Sequence, residues 1–271
     1  MRDVLAPPVA ATRLVQAIRL RDWWHFLLLP LASAQSALQL LRGVGIAFCI
    51  LAFGYLVNGL SDRQLDSDLK KSALAHEPSG LRLLVALFAG LALLLSLSGP
   101  SAVTIATLVS LSAGTVYSVG PRLKRFPLVG TLANAACFSP LLWLGVRDGA
   151  PGFDLLTLGA SFVLLLLQNQ LVHEAVDRED DARGGVLTTF RALGPRATAG
   201  LAMALGIGLS LLAPRPALAV AMLAAFVLAF PLALFRRGDD VTAMRTTRLV
   251  HRLSCIVAGG ALFAALRFFP A

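Results

Sequence analysis

Two short acidic stretches carry the residue types best able to do chemistry. Asn58, Asp62 and Asp66 recur every four residues, and Glu174, Asp177 and Asp181 recur at intervals of three and four. On a helix each set shares one face. Two carboxylate rows brought together repel each other unless a cation sits between them. Mg²⁺ takes hard oxygen ligands and is commonly held by a few carboxylates plus substrate phosphates. The pattern therefore points to Mg²⁺ with a diphosphate bound to it. A departing diphosphate gathers negative charge, which metal and cationic side chains stabilise. Lys124 and Arg122, beside Tyr117, could supply those cations. No His-x-x-His, Cys-x-x-Cys or glycine-rich phosphate loop occurs, so zinc and nucleotide readings find no support.

The elements that must position these residues are membrane helices. The chain of 271 residues is 57% hydrophobic and 14% charged, whereas a soluble domain carries about 25% charged residues. Apolar stretches recur along it at about 24–41, 43–60, 81–97, 102–119, 128–146, 153–172, 197–213, 217–235 and 250–268. Each approaches the length of a membrane span. The expected fold class is an all-α polytopic membrane protein, a bundle of about nine transmembrane helices forming a single domain over 1–271. Residues 1–20 read as a cytoplasmic tail with no cleavable signal peptide. The acidic stretches follow the second and sixth spans, which suggests two four-helix halves plus one helix.

Charge supports this order. With the N-terminus and each loop after an even-numbered span in the cytoplasm, all but Arg42, Arg147, Arg215 and Arg267 of the 24 Lys and Arg lie there. Such a bias fixes orientation in a cell (inner) membrane. The net charge of +9 needs no nucleic acid to explain it, because no basic-aromatic surface pattern accompanies it. Cys49, Cys137 and Cys255 fall in apolar runs without ligand spacing and read as core residues. The acids themselves could merely offset neighbouring cations in solvated loops. That explains neither their helical spacing nor their place at the ends of spans, where ionisable groups are functional candidates.

These residues carry a resemblance. The chain resembles the UbiA-type superfamily of intramembrane prenyltransferases. Asn58, Asp62 and Asp66 match its N-x-x-x-D-x-x-x-D signature, and Glu174, Asp177 and Asp181 match its D-x-x-D-x-x-x-D signature. Gly185, Thr188 and Leu193-Gly194 trail the second motif as in the family, and Tyr117-Ser-x-x-Pro121-Arg122-Leu-Lys124 is similar to its Tyr/Lys loop. The resemblance implies that Mg²⁺ bridges both motifs to an isoprenoid diphosphate. An allylic cation then forms and is attacked by a lipophilic acceptor, aromatic or a quinone precursor, within the bilayer. It implies Asp62, Asp66, Asp177 and Asp181 as metal ligands with Asn58 and Glu174 assisting. Lys124 and Arg122 would sit on the diphosphate, and Tyr117 at the cation.

Two departures are visible: Gly59 stands where many members have Asp, and Glu174 replaces the leading Asp of the second motif. His173 reads as an interfacial histidine or as a base for the acceptor. Asn134, Gln168, Asn169 and Gln170 either orient a polar acceptor or pair between helices. Trp23 and Trp24 read as interfacial anchors. Alternatives within the family are phosphoribosyl transfer to a polyprenyl phosphate, hinted at by Arg19-x-Arg21-x-Trp23, and terpene cyclisation. A transporter is disfavoured, because transporters place ionisable groups near the bilayer midplane and these acids cluster at one rim.

Overall fold

The computed structural model describes residues 16–62, 78–146 and 153–268. Asp66 lies outside the described residues. Apolar runs become helices here because only a helix satisfies every backbone group within its own segment in lipid. The long helices are α1 (Ala37–Asp62), α2 (Pro78–Leu97), α3 (Ser101–Ser118), α4 (Val129–Phe138), α5 (Phe153–Arg183), α6 (Thr189–Leu211), α7 (Pro216–Arg237) and α8 (Val241–Phe268). Among the described residues, seven helices are long and apolar enough to cross a membrane; α4, with its 3₁₀ continuation to Trp143, is shorter.

The chain divides into two compact units, residues 1–121 with 140–148 and residues 122–139 with 149–271. In the first unit α1 packs on α2 and α3. The expected opening span at 24–41 takes another form: Trp24–Ala32 is a 3₁₀ helix, and α1 begins at Ala37. Pro30 within it lacks the N–H that an α-helix would use. The segment seats tightly, since a Cβ at Gly43 would come within 2.8 Å of the Pro30 ring. Ser33 Oγ accepts a hydrogen bond from the Gly145 amide at 3.1 Å. Trp23, expected at an interface, is fully buried and stacks on Tyr55 at 6.2 Å, while Trp24 is 55% exposed. Burial of the whole indole contributes more than a border position would.

In the second unit α5 packs against α4, α6 and α8, and α7 lies on α6. A Cβ at Gly206 would collide with the Phe226 carbonyl, so glycine is what allows α6 and α7 to approach so closely. Phe226 sits in a π-helical stretch of α7, Leu223–Ala229. Helix α6 breaks at Gly194, whose φ is 73°, before Pro195. That leaves Thr189–Leu193 as a short separate turn. Throughout, large apolar side chains such as Leu83, Leu94, Leu211 and Val257 face outward, while Ser96, Thr107, Ser161 and Thr198 are buried. This inversion of the soluble pattern is what lipid as solvent produces, with small polar residues at helix contacts.

Candidate active site

Asn58 and Asp62 of the first motif lie in the last described turns of α1. Asn58 Oδ1 accepts a hydrogen bond from Ser118 Oγ at 3.1 Å, and Ser61 Oγ donates to the Ser118 carbonyl at 2.6 Å. These two bonds hold the last turn of α1 against the last turn of α3, where half-buried Tyr117 precedes Ser118. Half-buried Asp62 is the last described residue of α1. Asn58, Asp62 and Tyr117 therefore lie near one another in the first unit.

The cationic loop opens the second unit. Arg122 has φ 51° and Leu128 has φ 61°, left-handed values that side chains with a Cβ rarely adopt. Between them Leu123–Arg125 forms a single 3₁₀ turn carrying Lys124. The turn folds back onto α4, because a Cβ at Gly130 would sit 3.0 Å from Lys124 Cα. Strain of this kind persists only where surrounding contacts enforce it. Here the Leu128 amide donates to Thr189 Oγ1 at 2.8 Å.

The second motif lies on the last turns of α5, which Gly185 ends at φ 65°. Its three acids have different surroundings. Glu174 is buried, and its carboxylate accepts from Thr131 Oγ1 at 3.0 Å, the Phe190 amide at 2.9 Å and Gln170 Nε2 at 3.4 Å. The side chain expected at metal or diphosphate is thus occupied within the protein. Asp177 is 35% exposed, with His173 Nδ1 at 3.3 Å and Arg248 Nη1 of α8 at 3.7 Å. Arg248 Nη1 also donates to His173 Nδ1 at 3.0 Å. Asp181, half-buried, follows Asp177 by one turn. Among the described residues no group of three or more His, Cys, Asp or Glu is gathered closely enough to hold a metal ion.

The flanking charges are otherwise engaged. Arg178 donates to the Gly238 carbonyl at 2.7 Å and so ties α5 to the turn before α8. Asp240 begins α8 by accepting from the Thr242 and Ala243 amides at 2.9 and 3.0 Å. Asp180 pairs with Arg183, and Glu179 reaches only 3.9 Å from Arg178. Sequence spacing missed Thr131, Thr189 and Arg248, the last visible there only as one more loop cation. Arg19, whose spacing hinted at phosphoribosyl chemistry, pairs with Asp22 at 2.7 Å and lies over the Tyr55 ring at 5.2 Å.

The comparisons with known proteins follow the same outline. Residues 7–256 match the profile of the UbiA prenyltransferase family. No curated protein matches at the sequence level. A UbiA homologue from Archaeoglobus fulgidus, solved with DMAPP and Mg²⁺, aligns at TM-score 0.65 and 18% identity, over 93% of this chain and 99% of that one. A digeranylgeranylglyceryl phosphate synthase structure aligns at TM-score 0.75 and 16% identity, over 94% and 98%. The apo UbiA homologue from Aeropyrum pernix K1 gives 0.62 and 13%, over 94% and 98%. At these identities the structures share the fold, and the profile match over most of the length supplies the assignment: the chain belongs to the UbiA prenyltransferase family.

Proposed function

We propose that this multi-pass membrane protein transfers a prenyl group from an isoprenoid diphosphate to a lipophilic acceptor, aromatic or a quinone precursor. Asp62, Asp66, Asp177 and Asp181 would hold Mg²⁺, with Asn58 assisting. Lys124 and Arg122 neutralise the diphosphate, and Tyr117 presents its ring to the allylic cation. Bound Mg²⁺ supplies Lewis-acid stabilisation of the departing diphosphate. The C–O bond breaks with its electron pair passing to the diphosphate oxygen. The acceptor forms the new bond to the allylic carbon and releases its proton. The active end faces the cytoplasm, following the charge bias of the loops.

The observation that carries this reading is the occurrence of both ordered acid motifs and the Tyr/Lys loop in a chain matching the family over 7–256. Relatives solved with DMAPP or GPP and Mg²⁺ support it. Within the family, Arg19 and Trp23 have packing roles, which leaves the phosphoribosyl alternative without an added observation.

The test uses the purified protein in nanodiscs, given labelled isoprenoid diphosphates of several lengths, phosphoribosyl diphosphate in parallel, and a membrane lipid extract. A Mg²⁺-dependent prenylated lipid identified by mass spectrometry is the expected result. Undiminished turnover in excess EDTA, or label arriving only from phosphoribosyl diphosphate, overturns the proposal.

A further inference from the structure

Glu174 occupies the position where the family pattern has the leading acid of its second motif, yet its surroundings describe another task. Four donors converge on its carboxylate: the Thr131 hydroxyl, the Phe190 amide, the Gln170 amide group and the Thr189 amide. Following the protons outward gives a defined chain. The Leu128 amide can only donate, so Thr189 Oγ1 accepts from it at 2.8 Å. The carboxylate accepts from Thr131, so that hydroxyl's single proton is committed to Glu174. The remaining link, Thr131 Oγ1 to Thr189 Oγ1 at 2.7 Å, must then carry the proton of Thr189. The order is Leu128 amide to Thr189, Thr189 to Thr131, and Thr131 to Glu174.

This chain joins α5 to the base of the cationic loop. Leu128 is one of the left-handed residues that shape the loop, and its amide is the first donor of the relay. The lower end of the relay is fully buried, since Thr131, Thr189 and Glu174 are each at most 5% exposed. Buried hydroxyl chains with every donor matched are rigid, and a mismatch anywhere leaves a desolvated group unpaired. A geometry fixed at Leu128 fixes the turn that carries Lys124.

We propose that Glu174 is a positioning residue for the diphosphate: through Thr131 and Thr189 it locks the Arg122–Leu128 loop in the conformation that presents Lys124 and Arg122, and it does not ligate the metal. The inference rests on the functional reading above, because it supposes that this loop meets a diphosphate.

The relay makes a test possible that a ligand role cannot mimic, because valine at position 131 or 189 removes no carboxylate. In nanodiscs, Mn²⁺ binding is followed by electron paramagnetic resonance, and inorganic diphosphate is then titrated onto the Mn²⁺-loaded protein. Thr131→Val, Thr189→Val and Glu174→Gln should each leave Mn²⁺ affinity within about twofold and weaken diphosphate binding about tenfold, the equivalent of one good hydrogen bond. The Thr131→Val/Glu174→Gln double variant should be no worse than the poorer single, since both cut one chain. Glu174→Gln that loses Mn²⁺ while the threonine variants do not, or additive losses in the double variant, overturns the positioning role. Asp177→Asn serves as the control: Mn²⁺ binding that is absent from the unaltered protein, or indifferent to Asp177, overturns the functional reading itself and takes this inference with it. Should Glu174→Gln fail to fold, the milder Thr189→Ser, which restores the hydroxyl, must retain diphosphate binding while Thr189→Val does not.

Discussion

Gln168 and Asp177 stand a few turns apart on α5 and treat hydrogen bonding in opposite ways. Gln168 donates both amide protons, to the Ala202 and Phe226 carbonyls at 2.7 Å each. Its Oε1 must then accept from His251 Nε2 at 2.9 Å, which leaves Nδ1 of that ring to accept from the Cys255 thiol at 3.4 Å. His251 is fully buried, with the Phe230 ring at 4.5 Å. This knot joins α5, α6, α7 and α8 with each amide and ring atom used, and nothing in it invites a ligand. Asp177 is half-exposed, and its neighbours His173 and Arg248 stand at distances that a stronger partner could displace. In lipid, polar groups at depth must be satisfied within the protein. One helix thus carries a saturated polar knot and, in the proposed function, a chemical site, told apart by saturation rather than by residue type.

Exchanging the two sites' properties gives the largest expected effects. Asp177→Asn keeps size and removes charge, so it should lower kcat/KM about 10³-fold, as loss of a group that stabilises transition-state charge does. The unfolding midpoint in a detergent titration should barely move. Gln168→Leu should do the reverse. It strips two buried carbonyls of a donor and should cost about 2 kcal/mol of stability, measured by the same titration, while turnover per folded molecule stays within about twofold. A stable but inactive Gln168→Leu would mean that the knot takes part in the chemistry.

The legibility of these regions in the sequence follows from the range over which each signal acts. Apolar runs and the acids at their ends are local, so the helical segments and the placement of Asp177 and Asp181 at a helix terminus could be read directly. The 3₁₀ form of Trp24–Ala32 had a local signal in Pro30, outweighed by the apolar character around it. The surroundings of Glu174 had none. Its spacing from Asp177 places it on the motif face, whereas its carboxylate is taken by Thr131, on another helix and 43 residues away. A lone threonine carries no periodicity. Arg248 was hidden for the opposite reason, being one of many cations in a basic chain, and only the packing of α8 on α5 sets it beside Asp177. Gln168 was visible as a polar residue in an apolar run, but its partner His251 and the Phe226 carbonyl it also meets, in a π-helical turn, were not announced by any residue pattern.

The smallest effect sharpens the comparison from within the acidic cluster. Asp180 lies between the motif positions, yet its carboxylate points to Arg183 and is exposed. Exposed ion pairs are worth about 0–1 kcal/mol. Asp180→Asn should therefore change stability by less than about 0.5 kcal/mol and kcat/KM by less than about twofold, and the same holds for Glu179→Gln at its long 3.9 Å contact. These two carry the same charge as Asp177 within a turn of it. If local negative potential alone drew the metal in, removing either would weaken Mn²⁺ binding nearly as much as losing Asp177. If direct ligation decides, as the half-buried setting of Asp177 and Asp181 argues, Mn²⁺ titrations of both variants should overlay the unaltered protein.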